Sequence, residues 1–587
     1  MPAIPCIITL DAASEALARR LARELKAEPR LKPEQPLAAM REAFAARRPL
    51  IAICASGIVI RALAPLLADK RAEPPVIAIS PDGAHVVALL GGHHGANTLA
   101  KRIALITGGI AAVTTASDTR FGLALDDPPP GYRLANPDHV KAFTARLLAG
   151  EQVRIEGEHA EWLKNSRLPI AGDGALAITV TTAAISGGAD HLVCHPATLC
   201  LGVGTVQGAD FKELWQLVET TCKHHDLSPA AIAAIATHEL KGAEPAILAL
   251  AEHLDAPLRL FAADELAAVE APNPSAHPQR AVGTPSVAEA AALLLAGEDG
   301  ELIVEKHKSA RATCAIARAA RLVDPAGLPG RAPGRLWVVG IGPGDAASRT
   351  QAATHALLAA DDWVGYAPYL ELIADLHHGQ ALHPYPIGQE EERVRHALDL
   401  AAQGRRVALV CSGDAAIYAM AALVFEVLER TPQRVRIDVL PGVSAFQAAS
   451  AAAGALIGHD FCAISLSDLL TPWEVIWRRI KTAAAGGFVT AFYNPRSEGR
   501  PRHLAKALAL FRRHRGDDAP VVVARDLGRA GESVRLTTLG EFDPRTVDMR
   551  TLVLVGNRES RIIDTAAGPA AYTPRGYAMK SNREGAS

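Results

Sequence analysis

The segment Leu336–Asp345, with the sequence LWVVGIGPGD, constrains the fold more than any other stretch of this chain. A short apolar run, Leu336–Val339, breaks into a glycine-proline-glycine turn, and a helical pattern begins near Ala346. Such a run predicts a buried strand. The glycines remove Cβ atoms where the backbone turns sharply or approaches a ligand, and Pro343 fixes one φ angle. The segment therefore predicts a strand–loop–helix junction, and leaves open whether the loop is an ordinary turn or binds a ligand.

Length and charge indicate a multidomain protein without a global charge preference. The 587 residues are too many for one hydrophobic core and predict three or four domains. The 61 basic and 63 acidic residues nearly cancel, so charge gives no general attraction to nucleic acid or to an anionic membrane. The longest uncharged stretch, residues 439–458, contains Pro441 and Gly442 and does not resemble a membrane span.

The cysteines and the amino terminus indicate a cytoplasmic protein. The eight cysteines are scattered without a C-x-x-C pair, and they fit neither a disulfide framework nor a zinc ribbon. The first residues, MPAIP, lack the basic start and apolar run of a signal peptide. No cluster of ligands predicts a metal site.

The first half of the chain alternates strands with amphipathic helices. Polar loops follow several predicted strands, at Ala55–Gly57, Gly91–Asn97 and Thr114–Asp118, as is typical of ligand sites in α/β sheets. Proline-rich and glycine-rich stretches predict the boundaries. We expect domains at residues 1–130 and 198–322, a middle segment at 131–197 and a linker at 323–334.

The last third of the chain also consists of predicted strands followed by polar loops. Four further predicted strands run into loops of small and polar residues at Cys411–Asp414, Pro441–Ala445, Tyr493–Ser497 and Arg525–Gly528. Together with the first loop, they predict a cleft built from backbone amides, carbonyls and a few carboxylates. This pattern favours ligand binding by Gly340–Asp345.

Residues 335–561 resemble the tetrapyrrole methylase family and, within it, the precorrin-3B C17-methyltransferases of cobalamin biosynthesis. The motifs that carry the resemblance are VGIGPGD at 339–345, CSGDAAIY at 411–418, LPGVSA at 440–445, SLSDLLTPW at 465–473 and FYNPRS at 492–497. The Gly-Asp-Pro typical of the family reads Gly413-Asp414-Ala415 here. The resemblance implies a two-subdomain methylase domain at residues 335–565, followed by a tail at 566–587.

The resemblance implies S-adenosylmethionine as methyl donor and a homodimer formed through the methylase domain. Family positions that contact the donor fall on Pro343, Gly344, Ser412, Gly413, Asp414, Ile417, Ser444, Ala445 and Asn494. Holding donor and acceptor in line supplies about 7–11 kcal/mol in the best cases. Ring contraction also requires a base and a hydrogen-bond donor. Our hypotheses for these catalytic roles are Asp414, Ser412 and Tyr366.

The first half resembles cobalt-precorrin-5A hydrolase, which opens a lactone and releases acetaldehyde. CASGIVIR at 54–61, GGHHGAN at 91–97 and TTASD at 114–118 resemble its amino-terminal domain, and residues 282–290 and 306–318 its carboxy-terminal domain. Two features depart from the family. The glycine-rich loop is one residue shorter, and the turn at Gly202–Gly208 lacks the expected cysteine and two cations.

Lactone opening needs an activated water and donors for an oxyanion. His93 and His94 are candidate bases, and Asp118 is a candidate to orient an imidazole. Arg61 and Asn97 are candidates for substrate binding, Arg61 through a bidentate contact with a carboxylate. The sequence thus predicts a bifunctional enzyme acting on tetrapyrroles, in which any cobalt arrives within the substrate. Two alternatives remain: methylation of another ring carbon, and a first half that only binds a tetrapyrrole.

Overall fold

The computed structural model describes residues 4–67 and 73–577, apart from the side chains of residues 93, 116–118, 277, 278 and 281. Over these residues, helices pack against six sheets in four successive regions. The predicted multidomain α/β fold is confirmed.

The first region is a six-stranded sheet with order β2-β1-β3-β4-β5-β6. Its strands are β1 (Cys6–Thr9), β2 (Glu28–Leu31), β3 (Leu50–Ile53), β4 (Val76–Ile79), β5 (His85–Leu90) and β6 (Ile110–Ala112), and its helices are α1 (Glu15–Leu25), α2 (Pro36–Ala45), α3 (Ser56–Leu63), α4 (Ala96–Thr107) and α5 (Ala116–Phe121). Strands β1, β3 and β4 are fully buried apolar runs, as expected for parallel strands covered on both faces. Strand β5 is antiparallel to β4, so β5 ends at the opposite edge of the sheet from β3 and β4.

The second region contains β7 (Tyr132–Leu134), β8 (Val153–Gly157), β9 (Leu176–Val180), β10 (His191–Pro196), α6 (Val140–Leu148) and α7 (Glu161–Lys164). The strands form a separate sheet with order β7-β10-β9-β8. Phe143 on α6 is completely buried in the core of this region. The predicted middle segment is therefore a folded α/β unit.

The third region holds a five-stranded sheet with order β13-β12-β11-β15-β14. It comprises β11 (Leu199–Thr205), β12 (Ile232–His238), β13 (Leu258–Phe261), β14 (Glu301–Lys308), β15 (Ala312–Arg318), α8 (Phe211–His224), α9 (Pro245–His253), α10 (Ala263–Ala267), α11 (Ala276–Val282) and α12 (Ala288–Ala296). Helix α12 lies directly on β11, because a Cβ at Gly202 would stand 1.8 Å from the Ala288 carbonyl oxygen. Only glycine permits this approach.

The fourth region begins with a fully parallel sheet of order β18-β17-β19-β16-β20. Its strands are β16 (Arg335–Gly340), β17 (Asp362–Tyr366), β18 (Ala381–Tyr385), β19 (Arg406–Cys411) and β20 (Arg436–Leu440), and its helices are α13 (Gln351–Ala359), α14 (Ala367–Glu371), α15 (Glu390–Ala402) and α16 (Met420–Arg430). Because the strands are parallel, all their carboxyl ends lie at one edge. The predicted strand of the first motif is β16, beside β19 and β20.

A second sheet completes this region, with order β22-β23-β26-β24-β25. The elements are α17 (Ala445–Ala452), β21 (Gly454–Ala455), β22 (Phe461–Ser465), α18 (Trp473–Ala485), β23 (Val489–Tyr493), α19 (His503–Arg515), β24 (Pro520–Arg525), β25 (Ser533–Thr538), β26 (Thr551–Val555), β27 (Arg561–Thr565) and β28 (Gly568–Tyr572). Strands β22, β23 and β24 run in one direction, so their loops share an edge. Strand β28, within the predicted tail, pairs with both β27 and β21.

Arginines connect the third and fourth regions. Arg331, in the predicted linker, forms an ion pair with Glu239 at 2.7 Å and also donates to the main-chain oxygen of Ala402. Arg434 donates to the Leu240 oxygen at 2.6 Å. The linker residue thus contacts both of the regions that it joins.

Candidate active site

Three loops of the parallel sheet meet at its carboxyl edge, where glycines allow close contact. A Cβ at Gly340 would lie 2.7 Å from the Gly413 oxygen and 2.8 Å from the Gly442 nitrogen. Gly413 N donates to Gly342 O at 2.7 Å, and both residues have positive φ angles of 68° and 79°. The turn after β16 is therefore part of a junction built mainly from backbone.

Asp414 connects two of these loops through hydrogen bonds. One carboxylate oxygen accepts from the Ala416 N–H at 2.8 Å, and the other accepts from the Gly442 N–H at 3.1 Å. A carboxylate with a main-chain donor on each oxygen holds its loops in a fixed arrangement. The geometry thus gives Asp414 a clear structural role, while its role as a base stays a hypothesis.

Arg529 crosses from the second sheet to the first. Its Nε donates to the Pro343 oxygen at 2.9 Å, and its Nη2 donates to the Ser412 hydroxyl at 2.6 Å. The guanidinium carbon also lies 5.4 Å from the centre of the Tyr369 ring. The sequence analysis missed this residue, although it follows directly after the predicted loop Arg525–Gly528. The sequence feature that indicates Arg529 is a cationic residue directly after a glycine-containing loop.

A second link joins Tyr418 to strand β22. The Tyr418 hydroxyl donates to the Ala463 oxygen at 3.0 Å and accepts from the Ser465 N–H at 3.1 Å. Asn494 donates to the Ser465 hydroxyl at 3.0 Å. Tyr418 and Asn494 both have positive φ angles, of 51° and 50°, a strained backbone state that clusters at functional sites.

Tyrosines line the same part of the cleft. Tyr366, at the end of β17, stacks edge-on against Tyr369 with ring centres 5.0 Å apart. Burial raises the pKa of the Tyr369 phenol, and Arg529 opposes this shift. Burial also raises the pKa of Tyr493 to about 12. The raised pKa values favour the protonated phenol in both Tyr369 and Tyr493.

The predicted donor contacts all lie on loops that meet here. Pro343 and Gly344 follow β16, and Ser412, Gly413, Asp414 and Ile417 follow β19; Ser444 and Ala445 follow β20, and Asn494 follows β23. Ser444 is buried and its N–H donates to Gln447 at 2.9 Å, at the start of α17. The structure brings these residues to one cleft between the two sheets, and their contacts with a donor stay predictions.

The candidate residues of the first half are only partly brought together. Asn97 is 5% exposed and donates to the Thr115 hydroxyl at 3.1 Å, which joins two of the motifs. His94 is exposed, while the side chains of His93 and Asp118 lie outside the described residues. Arg61 is exposed on α3, which follows β3. Because β5 runs antiparallel to β4, the loop after β3 and the glycine-rich loop after β5 lie at opposite ends of the sheet.

A cavity of about 250 Å³ lies beside Asn97. Its wall combines α4, through Thr98 and Lys101, with Trp162 of the second region. The Trp162 indole nitrogen is buried and has no hydrogen-bond partner. The cavity lies between the first two regions, and its wall carries four polar or charged side chains, Asn97, Thr98, Lys101 and Asp127.

The motifs of the third region form a buried network around Glu289, which is 0% exposed. Its Oε1 accepts from Asn273 Nδ2 at 2.8 Å and from the Lys306 N–H at 3.0 Å. Its Oε2 accepts from the Asn273 N–H at 3.1 Å and from the Ser286 hydroxyl at 3.3 Å. The four donor groups belong to three residues, Asn273, Ser286 and Lys306, so the carboxylate connects its own segment with the segments of Asn273 and Lys306.

We expect Glu289→Gln to destabilise the third region by about 1–3 kcal/mol. The glutamine amide has an NH2 group in place of one accepting oxygen, so buried donors lose their acceptor and face this NH2 group instead. Calorimetry of the full chain measures the effect as a shift of one unfolding transition. Glu298→Gln, at an exposed residue after α12, is the matched control. Equal transition temperatures for the two variants would contradict a structural role for the Glu289 charge.

Two further features of the described residues concern membrane-spanning helices and metal-ion sites. Within residues 4–67 and 73–577, no helix has the length and apolar character to cross a membrane. Over the same ranges, no three His, Cys, Asp or Glu side chains stand in an arrangement suited to a metal ion.

Comparison with protein families covers most of the chain. The family described as Tetrapyrrole (Corrin/Porphyrin) Methylases matches residues 335–543. Those described as Cobalamin synthesis G N-terminal and Cobalamin synthesis G C-terminus match residues 38–118 and 199–317. Both resemblances inferred from the motifs are confirmed.

Individual relatives match the methylase region. The chain is 44% identical over 244 residues to a probable cobalt-factor III C(17)-methyltransferase of Salmonella typhimurium, covering 42% of this chain and 100% of that protein. It is 43% identical over 252 residues to a precorrin-3B C(17)-methyltransferase of a Sinorhizobium species, covering 42% and 99%. The crystal structure of the methyltransferase CobJ covers 41% of this chain and 100% of that one, with 44% identity and a TM-score of 0.39. The chain therefore belongs to the tetrapyrrole methylase family and is a methyltransferase with a cobalamin synthesis G-type region ahead of its methylase region.

Proposed function

We propose that the methylase region transfers a methyl group from S-adenosylmethionine to C17 of precorrin-3B or its cobalt form, with ring contraction to a precorrin-4 product. The observation that carries this proposal is the cleft where the loops after β16, β19 and β20 meet those of the second sheet. The names of the two curated relatives support position 17 and differ on whether the substrate carries cobalt. The presence of the metal therefore stays open to experiment.

The residues of the cleft fit S-adenosylmethionine. Gly340 and Gly442 leave no room for Cβ atoms, and Gly413 has a positive φ angle of 68°, so backbone amides and carbonyls form the surface. The donor supplies an electrophilic methyl group on a sulfonium. The residues of this chain bind and orient it, because methyl transfer depends mainly on holding the two reactants in line. The Asp414 carboxylate adds negative charge beside the site, which favours a cation.

Ring contraction also requires proton transfer. A phenol that remains protonated, such as Tyr369, is suited to donate to a developing carbonyl oxygen. The Ser412 hydroxyl oxygen accepts a hydrogen bond from Arg529, so its position is fixed. Asp414, Ser412 and Tyr366 remain our candidates for the base and the hydrogen-bond donor. All three lie at the carboxyl edge of the parallel sheet.

We expect the full chain to add one methyl group to precorrin-3B in the absence of oxygen, with metal-free and cobalt-loaded substrate assayed in parallel by mass spectrometry. Methylation of only one form assigns the natural substrate. A control reaction without S-adenosylmethionine is expected to give no methylated product. Absence of methylation with either form would contradict the assignment to position 17.

For the first half, our proposal is hydrolysis of the lactone of cobalt-precorrin-5A. The Asn97–Thr115 contact and the adjacent cavity support a site there. The alternative is a module that binds a tetrapyrrole without catalysis. The turn at Gly202–Gly208, which lacks the cysteine and two cations expected for the family, favours this alternative. Release of acetaldehyde by the full chain from the lactone separates the two, since a binding module gives none.

A further inference from the structure

Tyr418 combines a fixed backbone position with an exposed aromatic side chain. The residue ends the CSGDAAIY motif that begins at the last residue of β19, and it is 53% exposed. Its φ angle of 51° lies in the left-handed region, which bulky residues rarely adopt because it strains the backbone. Contacts with other segments therefore hold Tyr418 in this conformation.

The hydroxyl of Tyr418 binds to the free edge of the second methylase sheet. Strand β22 is an outer strand of that sheet, and an outer strand has main-chain groups without a strand partner. Directly after β22, the Leu466 N–H donates to the Tyr493 oxygen of the neighbouring strand. Main-chain groups alternate in direction along a strand, so Ala463 and Ser465 face the free edge. The hydroxyl donates to the Ala463 oxygen at 3.0 Å and accepts from the Ser465 N–H at 3.1 Å.

The Tyr418 ring therefore lies between the two methylase sheets. Its backbone belongs to a loop of the first sheet, while its hydroxyl is bound to a strand of the second. The ring also contacts that of Tyr493, with ring centres 5.1 Å apart and planes tilted by 54°. An exposed aromatic ring that is already fixed in orientation is suited to stack on a planar ligand, because little side-chain entropy is lost on binding.

Two exposed leucines follow in the loop between β22 and α18. Leu469 and Leu470 are 85% and 98% exposed, and adjacent apolar side chains in solvent are typical of a surface that binds an apolar group. Leu469 lies four residues beyond Ser465, a distance of about 14 Å at most. A tetrapyrrole contains four pyrrole-derived rings, so it is large enough to cover the Tyr418 ring and extend towards this loop. The adenine of a methyl donor is much smaller.

We propose that the Tyr418 ring is a stacking surface for the tetrapyrrole macrocycle. This inference rests on the proposed methyltransferase function, and it assigns substrate binding to a residue that is not a predicted donor contact. The same loop carries Ser412 and Asp414, which are predicted donor contacts. Stacking on Tyr418 therefore places the macrocycle beside the donor and fixes the plane in which the accepting carbon meets the methyl group.

The test compares Tyr418→Leu, which removes the aromatic ring, with Tyr418→Phe, which keeps the ring and removes the hydroxyl. Binding of uroporphyrin III, a planar tetrapyrrole, is titrated by its visible absorbance, and S-adenosylmethionine binding by calorimetry. We expect Tyr418→Leu to raise the Kd for the porphyrin and the KM for precorrin-3B about three- to ten-fold, as for loss of an aromatic stacking partner. The porphyrin Kd of Tyr418→Phe and the S-adenosylmethionine Kd of both variants are expected to stay within about two-fold of the wild type. Phe425→Leu is the matched control, because Phe425 is an aromatic residue of similar exposure, 54%, on α16.

Porphyrin binding by Tyr418→Leu as tight as that by Phe425→Leu would overturn the inference, and so would a wild-type chain that does not bind the porphyrin. Equal losses in Tyr418→Leu and Tyr418→Phe would also contradict it, because the hydroxyl would then be responsible. Loss of affinity for S-adenosylmethionine alone would assign the ring to the adenine of the donor. If Tyr418→Leu does not fold, Tyr418→Asn decides, because asparagine adopts positive φ angles more readily. Failure of the wild type to methylate precorrin-3B contradicts the proposed function, while the porphyrin affinities still test the stacking surface.

Discussion

Replacing Gly442 by alanine is expected to raise the Kd for S-adenosylmethionine by about 5- to 150-fold, because the loops that form the cleft can no longer meet as closely. The added Cβ would lie 2.2 Å from the Gly413 oxygen and 2.6 Å from the Gly340 oxygen. Both are backbone atoms, so no side-chain rotation relieves the clash. Overpacking of this kind costs about 1–3 kcal/mol, and we also expect a lower Tm for the methylase region. Calorimetric titration and thermal unfolding measure the two effects.

Gly172→Ala is the matched control for this substitution. A Cβ at Gly172 has no atom within 4 Å, and the residue lies in the second region, away from the cleft. We expect wild-type donor affinity and Tm for this variant. Donor binding by Gly442→Ala at wild-type strength would show that the close contact of the three loops is not needed for the site.

Much of the cleft could be predicted because the sequence patterns that indicate its strands and loops are local. The run Leu336–Val339 forms the buried strand β16, and the glycines after it stand where backbone approaches backbone. Strands β19 and β20 end where the sequence indicated, and their loops share an edge because the sheet is parallel. Apolar runs that end in small residues were sufficient to predict this arrangement.

The rest depends on contacts between distant segments. Arg529 lies 186 residues beyond Pro343, and nothing in its own neighbourhood indicates which carbonyl it contacts. The position of the glycine-rich loop follows from the antiparallel pairing of β5 with β4, which puts this loop at the opposite end of the sheet from the loop after β3. The role of Glu289 also requires donors from Asn273 and Lys306, which lie 16 and 17 residues away in the chain. Sequence patterns predict elements better than the partners of those elements.

Glycines on both sides of the cleft allow the two methylase sheets to make direct backbone contact. A Cβ at Gly344 would lie 2.8 Å from the Gly528 oxygen, and a Cβ at Gly528 would lie 2.8 Å from the Asp345 nitrogen. The turn after β16 and the loop after β24 are therefore in direct backbone contact. Arg529 follows this contact and extends it to Ser412. The two sheets are thus connected at the position where the donor is expected to bind.

Arg529→Met is expected to lower kcat/KM for methylation about 100-fold. The change removes two hydrogen bonds from a charged group, to Pro343 and to Ser412, and each is worth about 1.5–3 kcal/mol. Because 1.4 kcal/mol corresponds to a factor of ten, a loss of about 3 kcal/mol gives the stated reduction. Steady-state kinetics with varied S-adenosylmethionine and varied tetrapyrrole measures it.

Two further variants show whether geometry or charge is responsible. Arg529→Lys keeps the positive charge but cannot reach both acceptors with a planar fork, so we expect a loss of about ten-fold, near one lost hydrogen bond. Arg535→Met is the matched control, because Arg535 lies over the Phe542 ring at 5.8 Å on strand β25 and is exposed. If Arg529→Lys were as active as the wild type, charge alone would suffice and the fork would be unnecessary. If Arg529→Met were also fully active, the connection of Arg529 to Pro343 and Ser412 would not position the donor loops, and the Gly344–Gly528 contact and the Tyr418 hydrogen bonds would suffice to connect the two sheets.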